Sequence, residues 1–141
     1  MITKAIRKAH TQAKEKNWDV VYYAMDIHGT MIYPNYEAGV VPKDFYPHAK
    51  ETLQLLSKIP HIKLILHTCA HPHEIEEYKI YFKEHEINFL YVNENPEVKN
   101  GGYGCFDKKL YCNVMFEDKA GFDPDTDWME VKKLVEELYE K

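Results

Sequence analysis

Four short β-prone segments, DVVYYAMD, IKLILHT, INFLYV and LYCNVMF, alternate along the chain with helical patterns and loops, and this alternation constrains the fold more than any other feature. Strands that alternate with helices pair in parallel through right-handed crossovers, so the expected fold class is α/β, a three-layer sandwich around a mostly parallel sheet. DVVYYAMD is too apolar for a strand with one wet face and is expected to be central and covered on both sides. At 141 residues the chain fits one domain, 1–141, with little room for a second module.

The helical patterns fill in the order. Ile2, Ile6, Ala9 and Ala13 recur at helical spacing, which predicts an amphipathic helix over 2–16 that is ended by Asn17. Pro47 opens a second helix carrying Ala49, Leu53, Leu55 and Leu56, and Pro72 starts a third. The stretch WMEVKKLVEELYEK closes the chain as a fourth, with Asp127 as its expected N-cap. Residues 31–46, MIYPNYEAGVVPKDFY, hold prolines, a glycine and short β-prone pieces, and read as a hairpin or flap too small for a separate cap domain.

Composition narrows the class of function. With 45% hydrophobic and 29% charged residues the chain is expected to be globular and soluble. A net charge of −5 disfavours general affinity for nucleic acid, although the basic first helix, with Lys4, Arg7, Lys8, Lys14 and Lys16, keeps a nucleic-acid partner open. No apolar run approaches the roughly 18 residues of a membrane span, and MITKAIRKAHTQAKEK has no apolar core of a signal peptide. Cys69, Cys105 and Cys112 lack the spacing of a disulfide framework, so a reducing, cytoplasmic setting is expected. Oligomeric state is not fixed by the sequence.

In a parallel sheet, ligands bind beyond the carboxyl ends of the strands. The chain places polar residues at those ends: Asp26, Thr68, and the pair Glu117 and Asp118. Carboxylates gathered there offer oxygen ligands to a hard cation such as Mg²⁺, which keeps several waters and takes substrate phosphate oxygens. A threonine hydroxyl and a lysine would hold the phosphoryl group, and a carboxylate beside the cation could attack it. A competing metal site lies in HTCAHPH, where His67, Cys69, His71 and His73 alternate, but Pro72 breaks the extended run that would align them.

These motifs resemble the haloacid dehalogenase superfamily of phosphohydrolases, in particular its small capless members, over roughly residues 20–140. DIHGT resembles the opening Asp-x-Asp-Gly-Thr motif, Thr68 in LILHTCA the second, Lys108 or Lys109 in FDKKLY the third, and VMFED the fourth. The resemblance implies a three-layer α/β/α sandwich with a Rossmann-like sheet and no large cap domain. It implies Asp26 as nucleophile and metal ligand, the backbone carbonyl of His28 as a further ligand, and Asp118 with Glu117 completing an Mg²⁺ site. Thr68 and either Lys109 or Lys108 would bind the phosphoryl group, and strand alternation is expected to put the two lysines on opposite faces.

His28 is the departure, because the family carries a second aspartate there as the acid and base. Imidazole beside a cation is a weaker acid but an adequate base. The expected function is an Mg²⁺-dependent hydrolase of a small-molecule phosphomonoester, working through an aspartyl-phosphate. The alternative is a non-catalytic relative that binds a phosphorylated ligand or a protein. Dehalogenation fits less well, since an acidic pair beside an anionic substrate needs a cation between them.

Overall fold

Five successive buried residues, VYYAM, make β1 (Val21–Met25) a strand with no wet face. It pairs in parallel with β2 (Ile62–Leu66) on one side and with β4 (Val114–Phe116) on the other. The strand β3 (Phe89–Val92) pairs with β2, so the order is β3-β2-β1-β4 and every neighbour is parallel. The computed structural model describes residues 1–35, 37 and 39–139.

Four helices cover one face: α1 (Ile2–Glu15), α2 (Ala49–Lys58), α3 (Pro72–Glu84) and α4 (Asp127–Tyr139). Their buried residues join Val21, Tyr23 and Met25 of β1 and Ile62, Leu64 and Leu66 of β2 in one apolar cluster. Those strand positions alternate, as one face of a pleated sheet requires. The other face carries Tyr22 and Lys63 and is covered by the irregular segment 93–113. Glu97 in that segment accepts hydrogen bonds from Tyr22 Oη at 2.9 Å, Lys63 Nζ at 2.8 Å and Tyr91 Oη at 2.7 Å. The fold is thus the expected three-layer α/β sandwich around a Rossmann-like parallel sheet, with 93–113 as the layer opposite the helices.

The first helix buries the residues its spacing picks out, Ile2, Ile6, Ala9 and Ala13. His10 tethers it: Nε2 lies 2.6 Å from Tyr23 Oη and Nδ1 lies 2.7 Å from Tyr139 Oη. Burial pushes the His10 imidazole down to about 4, with His61 adding to the effect, so the ring is neutral at physiological pH.

Two boundaries differ from expectation. Helix α2 begins at Ala49 and not at Pro47, because His48 adopts a left-handed conformation (φ 65°) that no helix can pass through. The fourth strand covers only Val114–Phe116 of LYCNVMF. Its ladder stops where the Asn113 side chain takes over, with Oδ1 accepting from the Tyr22 N–H at 2.7 Å. The flap is pinned at its base by an antiparallel bridge between Ile32 and Phe45. Tyr36 and Ala38 of the flap lie outside the described residues, as do Glu140 and Lys141 of the expected last helix.

Candidate functional site

The strand order reverses at β1, which sends the chain to β2 on one side and receives β4 on the other. The cleft expected at such a switch point therefore falls where β1 and β4 end. The ladder continues one bond past β1, from the Asp26 N–H to the Phe116 carbonyl at 3.0 Å, so Asp26 and Glu117 leave adjacent strands side by side.

Beyond Asp26 the chain turns tightly. The Ile27 carbonyl accepts from the N–H groups of Met31 and Ile32, both at 3.0 Å. Gly29 sits in this turn at φ +80°, and a Cβ there would lie 2.8 Å from Asp118 Oδ2. Glycine is needed twice over, for the left-handed backbone and for the approach of the carboxylate. Thr30, fully buried, is the clamp between the two strand ends. Its Oγ1 accepts from the Asp118 N–H at 3.1 Å and lies 3.5 Å from both Asp26 Oδ2 and Asp118 Oδ1, to only one of which its single proton can be given. Trp128 of α4, itself fully buried, donates from Nε1 to the Thr30 carbonyl at 2.7 Å and fixes the turn from below.

The outcome is an acidic cluster. One oxygen from each of Asp26, Glu117 and Asp118 can be chosen so that all lie within 4.8 Å of one another. Burial is the main reason that the Asp26 carboxyl is held above its ordinary range; the Ile27 backbone N–H opposes this and Asp118 adds to it. Glu117 is pushed up to about 7, first by burial and then by its hydrogen bond to Asp118, with the Asp26 charge contributing. Three carboxylates this close cannot all ionise cheaply alone, and a divalent cation among them would relieve the repulsion. Among the described residues this is the one group of three or more ligating side chains close enough to hold a metal ion. Among the described residues no backbone N–H donates to the His28 carbonyl.

The His28 ring has a defined partner. Nε2 lies 2.9 Å from Tyr78 Oη, and that hydroxyl donates its own proton to the Pro42 carbonyl at 2.7 Å. A carbonyl can only accept, so the Tyr78 oxygen must be the acceptor toward His28, and the imidazole carries its proton on Nε2. In the neutral tautomer with this proton, Nδ1 holds the lone pair and is the ring atom arranged as a base.

Asp26, His28, Glu117 and Asp118 line a cavity of about 560 Å³ together with Thr68 and His67 from the end of β2. Asn93, just after β3, holds Thr68 by both backbone groups: Oδ1 accepts from the Thr68 N–H and Nδ2 donates to its carbonyl, each at 2.8 Å. Lys119 also lines this cavity, whereas Lys108 and Lys109 do not. Those two face an adjoining lobe of about 430 Å³ that shares His67 and Thr68 with the first. The expectation that the lysines point to opposite faces is corrected here: strand β4 starts at Val114, so they lie in irregular chain where alternation does not apply.

His67, Cys69, His71 and His73 do not converge. His67 and Cys69 line the cavity, while the His71 and His73 rings stack on each other with centroids 5.9 Å apart. Asn93, Tyr78 and Lys119 have no part in the motifs read from the sequence, and Thr30 enters there only as the last residue of DIHGT. Thr30 and Asn93 had a usable signal, a hydroxyl directly after the glycine and an amide at a strand end, but Tyr78 lies 50 positions from His28 and leaves no local mark.

Replacing Gly29 by alanine is expected to cost about 1–2 kcal/mol in backbone strain and, in addition, to push Asp118 out of the cluster. Gly39, at φ +78° with open space around it, is the matched control. In calorimetric titrations with a divalent cation, Gly29→Ala should weaken binding by at least about tenfold, the loss of one charge-assisted ligand, while Gly39→Ala leaves it unchanged. Equal affinities in the two variants would show that Asp118 takes no part in holding the ion.

The fold has a counterpart among solved structures. A conserved protein of Bacteroides thetaiotaomicron superposes with a TM-score of 0.64 at 23% sequence identity, covering 86% of this chain and 99% of that one. At that identity the likeness shows the fold alone. No family model matches the chain, and no curated protein does.

Proposed function

We propose that this cleft is the active site of an Mg²⁺-dependent phosphohydrolase that cleaves a small-molecule phosphomonoester through an aspartyl-phosphate. The observation that carries the reading is the convergence of Asp26, Glu117 and Asp118 from two adjacent strand ends, in one cavity with Thr68. Such a set fits Mg²⁺: oxygen donors only, a backbone carbonyl nearby, and room for water and phosphate oxygens. Asp26, Asp118, Glu117 and the His28 carbonyl would hold the ion. Bound there, it neutralises the phosphoryl oxygens and the surrounding carboxylates.

The chain's own residues account for the remaining steps. An Asp26 carboxylate oxygen attacks phosphorus in line with the ester oxygen; the P–O bond to the leaving group breaks and the leaving oxygen takes up a proton from solvent water. Water then attacks the aspartyl-phosphate, His28 Nδ1 accepts the water's proton, and phosphate departs with Asp26 regenerated. Thr68 Oγ1 accepts from the Ala70 N–H at 3.1 Å, which leaves its own hydroxyl proton for a phosphoryl oxygen. Either Lys109 or Lys108 would complete the phosphate contacts from the neighbouring lobe. Three free cysteines are in keeping with a cytoplasmic setting. Among the described residues no helix is long and apolar enough to cross a membrane.

The test is hydrolysis of an aryl phosphate with and without Mg²⁺. Wild-type protein should turn over only with the cation, and Asp26→Asn should lose more than about a thousandfold of that rate, as removal of a nucleophile does. A second reading is favoured by His28, whose Nε2 proton is committed to Tyr78: a binder of phosphorylated ligands that does not turn them over. Mg²⁺-dependent binding of inorganic phosphate with no hydrolysis of any aryl phosphate would decide for it.

A further inference from the structure

We infer that the substrate carries a second anionic group, a phosphate or carboxylate, on the same small molecule as the phosphoryl group that reacts, and that whichever of Lys108 and Lys109 the phosphoryl group does not use holds it in the lobe beside the acidic cluster. The inference rests on the phosphohydrolase reading for the first lobe and on the charge of the second for itself.

The two lobes adjoin, since His67 and Thr68 line both. Their electrostatics are opposite. Asp26, Glu74, Glu117 and Asp118 line the first, while the second has no carboxylate among its described lining residues and two lysines. Among the described residues neither Lys108 nor Lys109 forms an ion pair. Asn93, also in the lobe, spends its amide on the Thr68 backbone, so the free donors there are the lysines and His67.

A single transferring phosphoryl group, already facing a cation, Thr68 and Lys119, has use for one more lysine at most. Two unneutralised ammonium groups with about 430 Å³ of space exceed that need. The lobe's floor is apolar, formed by Leu110 and by Met115, which is 37% exposed. An anion linked to the reacting phosphoester by a short carbon skeleton meets both features, with the skeleton over Met115 and the charge at the remaining lysine.

The experiment is calorimetry on the whole protein with Mg²⁺, using alkane-1,n-bisphosphonates with two to four carbons and 4-phosphonobutanoate, against propylphosphonate as the singly charged reference. Their C–P bonds resist hydrolysis, so binding is read without turnover. At least one doubly anionic ligand should bind about tenfold or more tightly than propylphosphonate, and in the Lys108→Ala/Lys109→Ala protein the ratio should collapse to about one. No preference at any length, or a preference that survives the double substitution, would overturn the inference. Aryl-phosphate turnover measured on the same wild-type sample separates the two ideas. A lysine-dependent preference without turnover keeps the lobe and discards the hydrolase; turnover without preference does the reverse.

Discussion

If the cleft is the proposed phosphohydrolase site, exchanging His28 for aspartate is expected to raise Mg²⁺-dependent hydrolysis of alkyl phosphates by about a hundredfold or more, the lower range of what a positioned general acid contributes. Aryl phosphates gain far less, because their leaving groups depart without a proton. The expectation follows from the tautomer: with Nε2–H given to Tyr78 and Nδ1 bearing a lone pair, the neutral ring can take a proton from water but has none for a departing alkoxide. A carboxyl group at the same place would carry one. Rates for a series of phosphoesters of rising leaving-group pKa are the measurement, and the slope should be steep in wild type and shallow in the variant. Identical slopes and pH optima in the two proteins would show that His28 does not limit the reaction. Activity in His28→Asp alone would mean that the scaffold is intact and its catalysis switched off.

The metal-free protein is expected to lose stability as pH rises from about 5 to about 8, and a divalent cation should reverse the trend. Glu117 titrates at about 7 in the fold against an ordinary value of 4.5, so between these limits the native state holds a proton that the unfolded chain has released. Stability then falls with rising pH, being fully present below the unfolded pKa and lost as pH passes through the folded one. The raised Asp26 carboxyl acts in the same direction. Cation binding displaces the Glu117 proton, so the stabilisation gained from Mg²⁺ should increase as pH climbs through 7. Melting temperatures across this range, with chelator or with Mg²⁺, should diverge by several degrees at the alkaline end. Glu117→Gln should flatten the metal-free curve; a variant as pH-sensitive as wild type would place the titrating group elsewhere.

Where local chemistry dictates structure, the sequence was readable. The buried stripe of α1, the apolar run of β1 and the carboxylates at the ends of β1 and β4 all follow from spacing of 3.6 or 2 and from the polarity change at a strand end. Side chains that reach across the fold were not readable. Strand alternation predicts opposite faces for Lys108 and Lys109, yet Asn113 stops the ladder before that rule can apply. Tyr78 decides the proton on His28 through a carbonyl of the flap, a relation among three remote segments. Thr30 is intermediate: its place beside Gly29 was visible, but its role in joining Asp26 to Asp118 depends on β4 lying next to β1.

The layer formed by 93–113 bears on how such a protein can diverge. The carboxylates are anchored through Thr30 and Trp128 to the packed helix face, where a change of one residue disturbs the core. The lysines belong to irregular chain held to the sheet by Glu97 and Asn113 and braced within itself by Asn95, contacts that tolerate insertion and replacement between them. Descendants of this chain could therefore reshape the lysine-lined lobe by rewriting the part of that stretch beyond Asn93, while inheriting the carboxylate half of the cleft unaltered.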